Sequence, residues 1–140
     1  MTSLRDGRTA TGYLRRAIGI VVCLSPPAIA VASVFAGPRS YHPLVLLSLA
    51  FAAWVASMNF YLSFVRPWLY RRRQGSLEGY RFVSGLPIIA TTIVVLMLLT
   101  NFGARIVAVS ALVILALDTG GLPWFLISTW RDDGLWDPGA

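Results

Sequence analysis

Arg66–Arg81 reads RPWLYRRRQGSLEGYR, five arginines against one glutamate, Glu78, with a long apolar run on either side. A segment so rich in charge is expensive to hold in hydrocarbon, whereas apolar runs of span length belong there. The chain is therefore expected to fold about this stretch as a hairpin at a membrane surface. Trp68, Tyr70 and Tyr80 stand at its shoulders, where amphipathic rings favour the headgroup layer. Gly75 and Gly79 permit the turn. Arg71, Arg72 and Arg73, with Trp68 and Tyr70, are the residues expected to meet anionic lipid headgroups.

Composition agrees with that reading. A 140-residue chain with 56% hydrophobic residues and 13% charged ones has too little polar surface for a soluble domain. The formal charge of +6 comes entirely from twelve arginines, which cluster beside the apolar runs. Such a pattern suits anionic lipid rather than nucleic acid, for which no basic recognition module is present. The single cysteine, Cys23, lies inside an apolar run, so it forms no intramolecular disulfide and belongs to no cysteine-rich metal site. Its expected role is that of a small apolar side chain.

Working outward, four spans are expected at about 17–36, 43–65, 82–101 and 104–127, the last interrupted near 118–123. A helix needs about 20 residues to cross about 30 Å of hydrocarbon. Residues 1–16 form an N-terminal tail and residues 128–140 a C-terminal tail. Pro26 and Pro27 should kink the first span, leaving carbonyls that a hydroxyl or a neighbouring helix must satisfy. The first run also resembles a secretory signal, since arginines precede an apolar core that ends in Val34, Phe35 and Ala36, but a 20-residue core is longer than such a signal needs. Small residues recur every four positions at Ser48, Ala52 and Ala56, with a matching row at Ala28, Ala32 and Ala36, so spans one and two are expected to pair as an antiparallel hairpin. The fold class is thus an all-α, four-span membrane bundle. Four spans put the tails and the hairpin on one side, with ten of the twelve arginines, while Arg39 and Arg105 fall on the other. The asymmetry predicts both termini in the cytoplasm and, for a bacterial chain, residence in the inner membrane.

Asp118 is the residue around which a function would be built. It closes the fourth apolar run about 21 Å from that run's start, short of a full crossing and near the level of the arginines. An interfacial ion pair with Arg81, Arg66 or the Arg71–Arg73 cluster is the expected structural role, and an ion, proton or partner site the functional one. Asn59 and Ser63, four apart on one face of the second span, are expected to hydrogen-bond to another helix or to line a solute path. Thr91, Thr92 and Thr100 can bond to their own helix and imply no path. The triplet Asp118, Thr119, Gly120 also spells the aspartic peptidase motif, but it occurs once and between helical runs, where the chemistry needs two aspartates. Ser84 and His42 fall at opposite ends of the spans, so they form no catalytic pair. No phosphate loop, metal-ligand pair or cofactor fingerprint is present, and neither enzyme chemistry nor a cofactor is expected.

Three blocks, Asn59–Phe64 (NFYLSF), Arg81–Pro87 (RFVSGLP) and Leu117–Phe125 (LDTGGLPWF), resemble those of small uncharacterised multi-pass inner-membrane proteins of Gram-negative bacteria. Some of these are thought to be immunity partners of toxins delivered by contact-dependent or type VI secretion. The resemblance covers spans two to four and carries no catalytic residues. It implies a non-catalytic protein that binds another membrane protein, or itself. The alternatives are a small oligomeric transporter or channel using Asp118, and an accessory subunit of a membrane complex.

Overall fold

The computed structural model describes residues 10–136 apart from Pro38 and Ser84, and among these every regular element is helical. Residues 1–9 and 137–140 of the expected tails lie outside the described residues. Helix α1, Ala10–Phe35, begins within the stretch expected to be a tail and runs through both prolines. Pro26 has no amide hydrogen for the carbonyl of Val22. The Ser25 hydroxyl donates to that carbonyl instead, at 2.9 Å. Cys23, Pro26, Ala30 and Ser33 form the buried face of α1.

The second helical stretch is longer than expected. Helix α2 (Leu44–Phe60), a π-helical turn (Tyr61–Val65) and α3 (Arg66–Gln74) run on without interruption, so the arginine cluster is helical. Pro67 explains the π-turn. Its ring crowds the preceding turn and it contributes no donor, so the chain widens and the Arg66 amide donates to the carbonyl of Tyr61, five residues back. Gly75 ends α3 in the left-handed region at φ 78°.

The third apolar run departs most from expectation. Helix α4 covers only Ile89–Thr100, about 18 Å, while residues 81–83, 85 and 86 are irregular. Gly85 weakens a helix, and Pro87 drives Leu86 away from helical angles. Helix α5, Arg105–Leu117, follows a tight turn and ends at Asp118. After a break, α6 (Leu122–Thr129) resumes, and a last turn, α7 (Asp133–Trp136), folds back. The indole of Trp124 donates to the carbonyl of Ala116 at 2.9 Å, which relieves one acceptor released by the break.

Helix α5 is the centre of the bundle, packed against α1, α2 and α4. Its buried face, Ala104, Val107, Ala108, Ala111, Ile114 and Leu115, meets Val45, Leu49, Ala52, Val55 and Ala56 of α2 and Ala90, Val94 and Leu98 of α4. Alanines at these contacts let the backbones approach closely. The expected pairing of α1 with α2 is not what forms. Helix α1 lies along α5, and Ala28 and Ala32 are exposed. Alanine occurs on every side of α1, so its four-residue spacing did not single out a face. At one end of the bundle the Gly103 amide donates to Ser33 Oγ at 2.9 Å, joining the α4–α5 turn to the end of α1. At the other end Arg16 lies 5.5 Å from the centre of the Trp130 ring, and Trp136 packs over Gly19.

Three helical stretches are long and apolar enough to cross a membrane: Gly12–Phe35, Leu44–Gln74 and Arg105–Thr129. Helix α4 is apolar but shorter. Large apolar side chains cover the outside, with Val21, Leu47 and Ile127 more than two-thirds exposed, as befits a surface solvated by lipid.

Candidate functional site

Three departures from regular helix meet at one level: the end of α2 with its π-turn, the irregular segment before α4, and the break after α5. Their polar groups join. The Asn59 amide nitrogen donates to Asp118 Oδ1 at 2.7 Å and to the carbonyl of Leu86 at 3.0 Å, and Asn59 Oδ1 accepts the Leu86 amide at 2.8 Å. Asn59 thus pairs with the backbone of Leu86 as a neighbouring strand would, while holding the carboxylate with the same amino group. Thr91 Oγ1 donates to Asp118 Oδ2 at 3.0 Å. Each carboxylate oxygen therefore has its own donor. The site is dry: Asp118 is 0% exposed, and Asn59 and Thr91 are each 2% exposed.

The backbone is shaped to allow this. The Ile88 amide donates to the carbonyl of Gly120 at 3.0 Å, so the segment before α4 and the break after α5 are also joined directly. Ile88 adopts φ 67°, a left-handed conformation that is costly for a β-branched residue. Glycines supply close approach. A Cβ on Gly85 would overlap Asn59 Oδ1, and one on Gly121 would crowd Asp118 Oδ2 at 2.8 Å. Nearer the arginine-bearing end, Ser63 Oγ and Thr119 Oγ1 share a hydrogen bond of 2.9 Å.

Asp118 and Asn59 are brought together, and Ser63 sits beside them through Thr119. The expected ion pair does not form. Among the described residues no arginine pairs with Asp118. Arg81 is exposed, and the Arg66 guanidinium lies over the Tyr80 ring, 5.8 Å from its centre. The physical reason is that the break tucks Asp118 inward between α2 and α4, whereas the arginines leave the bundle on the projecting α3 and the hairpin. Thr91 is a member of the site that spacing did not reveal, and so is the Leu86 backbone. Arg71, Arg72, Arg73 and Trp68 are exposed, with Arg72 over the Trp68 ring at 5.3 Å, and Tyr70 donates to the carbonyl of Glu78 at 3.3 Å.

No protein-family model matches the sequence, and neither a curated protein nor a solved structure is similar to it. Among the described residues no three histidine, cysteine, aspartate or glutamate side chains converge as metal ligands would. What the arrangement does is crosslink three segments through one carboxylate and one amide.

Proposed function

We propose that this protein is a non-catalytic binding protein of the bacterial inner membrane, a four-span bundle with both termini in the cytoplasm, that engages another membrane protein. In its specific form the partner is a membrane-acting toxin and the chain is its immunity protein. The observation that carries the reading is the complete burial of Asp118 with a hydrogen-bond donor on each carboxyl oxygen. Its carboxylate is a rivet between α2, α4 and α5, enclosed in the packed interior rather than set along a watery route. The bundle it ties together presents many large apolar side chains on the outside of its helices, which is the equipment of a protein that works by contact. The test is co-expression with the product of the adjacent gene, measuring growth and co-purification. Protection and co-purification that persist in Asp118→Asn support binding with a structural aspartate; absence of both in the wild type removes the immunity reading.

A second reading, a small oligomeric transporter, draws on one observation. A π-turn, an irregular segment and a broken helix at a single level are features that transport proteins place around a solute. Reconstitution into liposomes separates the two: solute or ion flux that Asp118→Asn abolishes belongs to the transporter alone.

A further inference from the structure

The hairpin that projects from the bundle folds back over its own helix and makes a second site. Because the π-turn adds one residue, Tyr61 and Arg66 come onto one side, and Arg73 follows two helical turns beyond Arg66. Gly75 and Gly79, at φ 78° and 76°, reverse the chain, and the bond from Tyr70 to the carbonyl of Glu78 pins the return. Tyr80 is thereby laid against Tyr70, ring centres 5.0 Å apart, and beneath the Arg66 guanidinium. Between them lies a cavity of about 330 Å³ lined by Tyr61, Arg66, Leu69, Tyr70, Arg73 and Tyr80.

Its chemistry is one-sided. Two guanidinium groups line it and no carboxylate does. Among the described residues neither arginine has an ion-pair partner. The Tyr80 hydroxyl is shielded from solvent and has no hydrogen-bond partner in the described residues. A shielded hydroxyl lacking a partner, beside two cations lacking a counter-charge, describes a site for an oxyanion. Guanidinium forks match phosphate oxygens, and the cavity has the volume of a small polar ligand.

We propose that Arg66, Arg73 and Tyr80 form a selective binding pocket for a phosphate group, supplied by the headgroup of an anionic phospholipid. Leu69 and the aromatic rings offer the apolar wall that a glycerol backbone would lie against, and the continuous helical stretch that carries the pocket, Leu44–Gln74, includes an apolar segment of crossing length. The pocket divides the arginines. Arg66 and Arg73 face the ligand, whereas Arg71 and Arg72 contribute only general attraction. The proposal does not depend on the partner proposed above.

The experiment is native mass spectrometry of the full chain, released from vesicles of phosphatidylcholine with phosphatidylglycerol, counting retained lipid of each kind. The wild type is expected to retain phosphatidylglycerol preferentially. The paired substitution Arg66→Gln with Arg73→Gln should reduce that retention about tenfold or more, and Tyr80→Phe should reduce it severalfold. Arg71→Gln with Arg72→Gln removes the same charge outside the pocket and should leave it nearly unchanged. Equal loss from both pairs overturns the pocket, as does retention without headgroup preference in the wild type. Inorganic phosphate provides the other arm. Thermal stabilisation by millimolar phosphate, without retained phospholipid, overturns the lipid as the source. The helical circular dichroism of each variant shows whether lost retention comes from lost folding, and the Tyr80→Phe readout still decides the outcome if the arginine pair does not fold.

Discussion

Asp118 has two hydrogen-bond donors and, among the described residues, no cation beside it, so its contribution is that of two buried hydrogen bonds. Replacing it by leucine strands the Asn59 donor and the Thr91 hydroxyl in a dry interior, and each stranded group costs about 1–3 kcal/mol. Asparagine fits better, because its oxygen can accept from Asn59 while its amino group faces the Thr91 oxygen. Asp118→Leu should therefore destabilise by about 3 kcal/mol, and Asp118→Asn and Thr91→Val by about 1 kcal/mol each, given that hydrogen bonds within membranes are worth about 0.6–2 kcal/mol. Thermal unfolding in a mild detergent ranks the three; an Asp118→Leu protein as stable as the wild type would remove the rivet. Asn59 and Asp118 were legible in the sequence because polar side chains in apolar runs need partners. Thr91 was not, since a helical threonine can satisfy itself, as Thr100 does on the carbonyl of Leu96 at 2.8 Å. Only the fold distinguishes the two uses.

The segment before α4 is where local preference and tertiary contact compete. Residues 81–83, 85 and 86 are irregular although the apolar run through them is of helical length, and the backbone of Leu86 is satisfied by Asn59 instead of by a helical ladder. Hydropathy registers apolar side chains but not backbone angles, which is why the run looked like one 20-residue helix. Gly85 and Pro87 were the signals of its interruption. Two substitutions test the account. Gly85→Ala places a Cβ against Asn59 Oδ1 and should cost about 1–3 kcal/mol, as overpacking does. Ile88→Gly relieves a left-handed conformation that costs a side-chain-bearing residue about 1–2 kcal/mol, so it should be neutral or stabilising. The same change at Ile89, inside α4, should cost about 1 kcal/mol. If Ile88→Gly destabilises as much as Ile89→Gly in the same melting experiment, Ile88 is not held in the left-handed region.

At the scale of the whole molecule, three helical stretches are of crossing length and α4 is not, so the number of crossings turns on whether the irregular segment shares membrane depth with α4. Backbone outside a helix is tolerated there only when protein satisfies it, and both polar groups of Leu86 are bound by Asn59. Packing supplies a second argument. The contact of Gly103 with Ser33 holds the α4–α5 turn at the end of the bundle where α1 finishes, and Arg16 meets Trp130 at the opposite end. The all-helical character and the apolar helices of crossing length were legible because they depend on composition. The central place of α5 was not, because small residues on several faces of several helices permit more than one packing. On the proposed orientation, single cysteines introduced into a Cys23→Ala background at Ser40 and Phe102, both exposed, should react with a membrane-impermeant thiol reagent in cells whose outer membrane is permeabilised. Ser76→Cys, on the exposed hairpin, should react only after the inner membrane is opened. Phe102→Cys carries the decision on α4. If it follows Ser76→Cys rather than Ser40→Cys, α4 does not cross and the bundle has fewer than four spans. If Ser40→Cys and Ser76→Cys exchange behaviour, the arginines face outward and the cytoplasmic placement of the termini fails.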